Sequence, residues 1–156
     1  MPVVVMPQTQ LAYHRPMHAT AAPIDPFLQS ARDAVLRLLP SVEALYMFGS
    51  FARRTASADS DLDLAVLQPT PLPPLRRLEA QRELSVLLDR DVDLVDLATA
   101  STVLRSEVVN GGIALFTRDP MRMLDFEARV LGEYADLLDA TRALREDIRA
   151  SGRVLA

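Results

Sequence analysis

The chain has 156 residues, 49% of them hydrophobic, and a formal net charge of −4. That length supports one domain with a buried core, and the acidic balance argues against broad contact with a nucleic-acid backbone. No apolar run is long enough to span a membrane, and the start Met1-Pro2-Val3-Val4-Val5-Met6 lacks the basic segment of a secretory signal.

Cysteine is absent, which excludes disulfides and thiolate metal sites and points to a cytoplasmic protein. Lysine is absent too: all 17 basic residues are arginine. Covalent chemistry through a lysine amine, a Schiff base and a P-loop lysine are therefore excluded.

Residues 1–24 show no helical or strand periodicity and are expected to form a flexible N-terminal arm. Both histidines, His14 and His18, lie there, with Pro16 between them. They read as solvent-exposed residues without a ligand role. Phe27, Leu28, Ala31, Val35, Leu38 and Leu39 then follow helical spacing, with Asp25 as N-cap, Pro26 at the first helical position and Pro40 as the stop. Ala44 to Phe48 reads as a buried strand, followed by a turn at Gly49-Ser50. A short helix is expected from about Ser50, carrying Arg53 and Arg54. Leu62 to Leu67 is the second strand.

A Pro-rich loop, Pro69 to Pro74, leads to a helix over Leu75–Leu88. Its expected apolar stripe is Leu75, Leu78, Leu84, Leu87 and Leu88; its expected wet face is Arg76, Arg77, Glu79, Arg82 and Glu83. Asp91 to Leu97 is the third strand. Ser101 to Asn110 is a short helix with Val103-Leu104 and Val108-Val109 inward, stopped by Gly111-Gly112. Ile113 to Thr117 is the fourth strand. Asp119-Pro120 opens a last helix running to about Ala150. That helix is longer than a small core needs: it either adds a layer on the sheet or offers its outer half to a partner.

The residues that carry chemistry cluster around the first two strands. Asp61 and Asp63 are two apart at the mouth of a strand, so both carboxylates project from one face. Close like charges repel unless a cation lies between them, and two carboxylates at one point form a hard-oxygen site for Mg²⁺ or Mn²⁺. An Asp-x-Asp alone reads first as a solvated strand end with acidic decoration. Gly49-Ser50 changes the weighing, because it offers close backbone approach, a hydroxyl and free N–H groups that suit phosphate. Arg53 and Arg54 either neutralise a terminal phosphate or solvate a helix face. In the third strand, Asp91 and Asp96 read as caps of its two ends. Asp93, mid-strand in an apolar run, is expected to be buried; a buried carboxylate without a partner is costly, which favours a metal or proton-transfer role.

Gly49-Ser50, ten residues, then Asp61-x-Asp63 resembles the Gly-Ser-x10-Asp-x-Asp signature of the DNA polymerase β-like nucleotidyltransferases. The small size looks most like the minimal nucleotidyltransferases, the MntA-type antitoxins that partner HEPN-domain toxins. The resemblance covers roughly Pro26 to Thr117. Many relatives carry glycine four residues after the serine, where this chain has Arg54.

The resemblance implies an α/β (α+β) polymerase β-like fold: a small mixed sheet flanked by helices, with residues 25–118 as the core and 119–156 as a C-terminal helix packing on core or partner. It implies Asp61, Asp63 and Asp93 as catalytic, metal-holding carboxylates for two Mg²⁺ ions, and Gly49, Ser50, Arg53 and Arg54 as nucleotide-binding residues. ATP would be the substrate. The acceptor would be a tyrosine hydroxyl on a cognate HEPN ribonuclease toxin, held in a hetero-oligomer. Three other readings remain: an antitoxin acting by binding alone, a small-molecule nucleotidyltransferase of the aminoglycoside-modifying kind, and a nucleic-acid polymerase or tRNA-end enzyme, which the acidic balance disfavours.

Overall fold

The structure, a computed structural model, describes residues 25–57 and 59–151, with side chains through Arg149. The expected N-terminal arm and both histidines lie outside the described residues. In chain order the elements are α1 (Pro26–Leu38), β1 (Ala44–Met47), α2 (Gly49–Ala52), β2 (Leu62–Leu67), α3 (Pro74–Leu88), β3 (Val92–Asp96), α4 (Thr102–Gly111), β4 (Ile113–Thr117) and α5 (Pro120–Ser151). The helix starts follow local chemistry. Phe27 N–H donates to Asp25 Oδ1 at 2.8 Å with Pro26 at the first helical position. Leu104 N–H donates to Ser101 Oγ at 3.2 Å.

The strands form one mixed sheet in the order β3-β2-β1-β4. β1 runs antiparallel to both β2 and β4. β2 and β3 are parallel, joined by the α3 crossover. Alternation along the strands divides the core into two layers. Leu45, Met47, Leu62, Leu64, Val66, Val92 and Leu94 face Ala31 and Val35 of α1 and Ala80 and Leu84 of α3. Ala44, Tyr46 and Ala65 face the other way, toward Val108 of α4 and Met123, Phe126 and Val130 of α5. Tyr46 O–H donates to Glu127 Oε1 at 2.9 Å, so the buried phenol has a partner. Burial, then the Glu127 charge, raise its pKa above the usual tyrosine range.

The stripe expected on α3 packs only in part: Leu84 is buried and Leu88 lies against the core. Leu75, Leu78 and Leu87 are exposed, whereas Ala80 and Leu84 are buried. Arg77, expected on the wet face, joins Gln81 and Ser85 in a polar row one helical turn apart. Arg77 Nη1 donates to Leu94 O at 2.9 Å, Gln81 Oε1 accepts from Leu94 N–H at 3.2 Å, and Ser85 Oγ accepts from Val92 N–H at 3.1 Å. β3 is an edge strand, and its outward N–H and C=O groups need partners. A helix lying along that edge therefore turns hydrogen-bonding side chains toward it.

One expectation for α4 is corrected too. Val103 of α4 points outward, at 55% exposure, and Ser106 is buried instead. α5 buries Met123, Phe126 and Val130 but leaves Leu137, Leu138 and Leu144 exposed at 40%, 47% and 49%, so its outer half runs past the core. Asp96 caps the end of β3 as expected: it is buried and accepts from Leu72 N–H at 2.8 Å and Ala98 N–H at 2.9 Å. The Asp91 carbonyl accepts from Leu62 N–H at 2.8 Å while its side chain stays exposed.

Candidate active site

The turn after β1 and the start of β2 are built against each other. Phe48 N–H donates to Asp63 O at 3.0 Å, and Gly49 takes the left-handed conformation with φ +65°. A Cβ at Gly49 would overlap Asp63 Oδ2 and come within 2.8 Å of its Cγ. Glycine is therefore required twice, by backbone conformation and by the carboxylate lying where its side chain would be. Ser50 follows directly in the single turn of α2, and its carbonyl accepts from Thr55 N–H at 2.9 Å.

The parallel pairing of β2 with β3 sets Asp63 opposite Asp93. Asp61, two residues before Asp63, shares its face. A cleft of about 330 Å³ is lined by Asp61, Asp63, Asp91 and Asp93 with Gln81, Ser85 and Val92. Burial pushes the Asp63 carboxyl above the usual carboxylate range; Asp93, Asp61 and Glu107 push the same way, and the Arg53 guanidinium opposes them. Asp93 is exposed, not buried as expected, because its face of the sheet opens at this end. The case for it rests on its register with Asp63, not on a burial cost.

Among the described residues, no three carboxylates or imidazoles converge closely enough to enclose a metal ion unaided. The donor chemistry nonetheless fits Mg²⁺ or Mn²⁺: hard carboxylate oxygens that repel one another, with a nucleotide's phosphates able to complete the shell.

The two arginines separate. Both lie beyond the helix expected to carry them, since α2 ends at Ala52. Arg53 caps α2, its charge reaches Asp63, and its Nη1 lies 3.7 Å from Glu107 Oε1 on α4. Glu107 is a site neighbour without a signal in the chain, where it reads as one more charge on a helix. Arg54 sits exposed in the turn with φ +59°. This is the position where many relatives carry glycine, and the left-handed backbone explains why. A side chain there costs about 1–2 kcal/mol, partly offset by the extra chain entropy of glycine. Arg54→Gly is expected to leave stability unchanged or raise it by up to about 1 kcal/mol, read by urea denaturation. A clear loss of stability would show that the guanidinium makes a contact worth more than the strain.

This geometry is that of a nucleotidyltransferase: a glycine-serine turn pressed onto paired strand carboxylates, with a third acid in register on the neighbouring strand. A family model described as polymerase beta, nucleotidyltransferase, matches residues 33–121, and the chain belongs to that family. The protein adenylyltransferase MntA of Shewanella oneidensis is 36% identical over 127 residues, 79% of this chain and 91% of the relative. A crystal structure of a toxin–antitoxin with AMP-PNP superposes with a TM-score of 0.71 at 32% identity, covering 78% of this chain and 98% of that one. A tri-AMPylated Shewanella oneidensis HEPN toxin in complex with MNT antitoxin gives 0.64 at 32% identity, with the same coverage. The fold is thus the polymerase β-like one expected, and the chain is a nucleotidyltransferase. No described helix is long and apolar enough to cross a membrane.

Proposed function

We propose that this chain moves AMP from ATP to a tyrosine hydroxyl of a cognate HEPN-domain toxin, acting as its antitoxin in a hetero-oligomer in the cytoplasm. The observation that carries the reading is the Asp63 carboxylate, which occupies the space of the missing Gly49 side chain and stands in register with Asp93. The relatives named as an adenylyltransferase and as an antitoxin bound to an AMPylated HEPN toxin support the acceptor class.

In this reading Ser50 and the Gly49-Ser50 backbone grip the terminal phosphates, and Arg53 adds positive charge beside them. Arg54 is left to the turn. Asp61, Asp63 and Asp93 would hold divalent cations, which when bound neutralise the triphosphate and polarise the reacting oxygens. Asp93 lies open to solvent and takes the proton of the incoming hydroxyl. The acceptor oxygen forms a bond to the α-phosphorus as the bond to the bridging oxygen breaks. Pyrophosphate leaves with that electron pair. None of these steps uses lysine, cysteine or histidine. Residues 25–118 form the catalytic core, and the outer half of α5 is left for the partner.

The test is incubation of the purified protein with Mg²⁺, labelled ATP and the HEPN toxin encoded beside it, followed by intact-mass analysis. The toxin should gain one or more AMP units, and the gain should vanish with the Asp61→Ala/Asp63→Ala pair. A stable complex with no mass change would overturn the catalytic reading and leave an antitoxin that works by binding.

A further inference from the structure

The three pieces of the site come from separate stretches of chain: the turn after β1, the start of β2 and the start of β3. One side chain outside the signature touches or borders all three. Arg90 Nη1 donates to the carbonyl of Ser60, the residue before Asp61, at 2.6 Å. Its guanidinium carbon lies 5.2 Å from the ring centre of Phe51, the residue after Ser50. It lies 5.6 Å from the ring centre of Phe27 on α1, and the two rings stack with centroids 6.3 Å apart. Arg90 stands three residues before Asp93, and its backbone is itself held, the N–H donating to Ser85 O at 3.2 Å.

We propose that Arg90 is a positioning residue that fixes the phosphate-gripping turn, Asp61 and the Asp93 strand relative to one another. This deepens the reading above and rests on Gly49, Ser50, Asp61 and Asp93 forming the site. The segment between Ala52 and Leu62 has no regular structure among its described residues, so the strand pairing alone does not set the path from Ser50 to Asp61. A planar guanidinium meets both needs at once. Its edge donates to a carbonyl on one side of that segment, and its face lies against an aromatic ring on the other. Phe27 extends the anchor to α1, whose Ala31 and Val35 are buried in the core, so the site is referred to a rigid element.

The experiment compares Arg90→Met and Arg90→Lys with wild type in the full chain. Val130→Ala, a truncation in the opposite core layer, serves as a control for simple loss of stability. Two readouts are taken: amide hydrogen exchange across residues 55–61, and calorimetric affinity for AMP-PNP with Mg²⁺. Arg90→Met should speed exchange in that segment and weaken nucleotide binding, each by about tenfold, from the combined loss of a charged hydrogen bond and two ring contacts. Arg90→Lys should recover part of both, since an ammonium still reaches the carbonyl and the ring faces. Val130→Ala should lower the melting temperature and leave both readouts at the wild-type value. Nucleotide affinity in Arg90→Met equal to wild type, or weakened no more than in Val130→Ala, would overturn the proposal; should Arg90→Met fail to fold, the same comparison is made on Arg90→Lys. A wild type that binds AMP-PNP but modifies no acceptor would sink the function proposed above, while the binding comparison still decides the role of Arg90.

Discussion

Asp63→Asn is expected to reduce AMP transfer by about a thousandfold, since it removes an ionised ligand where charge must be neutralised during phosphoryl transfer. The metal-free protein should lose no stability, and at neutral pH it should gain some. Burial raises the pKa of this carboxyl, and so do Asp93 and Asp61. A raised value means that the folded chain holds this proton more tightly than the unfolded chain. Its stabilising effect is then fully present below the ordinary carboxylate range. It is lost as pH rises from there through the raised folded-state value. Asparagine has no proton to lose, so the stability difference between variant and wild type should widen across that window. Urea denaturation in chelator at a series of pH values reads the slope directly, and a radiolabel transfer assay reads the activity. A variant that keeps more than about a tenth of wild-type transfer would remove Asp63 from the role assigned to it. One that is clearly less stable than wild type at neutral pH would show that the carboxylate is held by attraction, not by repulsion.

Gly49→Ala should damage both fold and function. The left-handed backbone costs about 1–2 kcal/mol for any residue with a Cβ, and here that Cβ would meet the Asp63 carboxylate. Relief requires the carboxylate to swing away or the turn to move off β2. Either movement separates the phosphate grip from the acids. A loss of about 2 kcal/mol in stability and about a hundredfold in transfer is expected, since misplacement by an ångström already costs that much rate. The two effects separate in a measurement made well below the melting temperature, where nearly all the chain is folded. If transfer there matches wild type while stability falls, the contact between Gly49 and Asp63 is a matter of packing only.

Much of this fold can be read along the chain because strand signals and core burial coincide. Leu62–Leu67 and Ile113–Thr117 fall on the expected residues, since uninterrupted apolar runs bounded by polar turns have few other places to go. Gly49, Asp61 and Asp63 are legible for a different reason: a short spacing carries their geometry, and the turn and strand between them are local. Asp93 is harder. Its meeting with Asp63 depends on the register of a parallel pair closed by a whole crossover helix, and its exposure depends on where the sheet ends. The leucines of α3 misled because period alone does not say what a helix packs against. Leu75, Leu78 and Leu87 keep helical spacing, yet the face that docks is the one able to bond with a strand edge. Arg54 could be placed only through its backbone, since nothing in the residue type signals a left-handed turn.

The row of Arg77, Gln81 and Ser85 also limits how an acceptor can approach. By taking up the Val92 N–H and both the N–H and the carbonyl of Leu94, it covers the sheet margin that borders the third carboxylate. An extended peptide cannot be added there as a strand without displacing these side chains, because three of the main-chain groups it would need are already occupied. An acceptor of the kind proposed above would instead meet the site at the open end of the sheet, where Asp93 is exposed, without adding a strand to it.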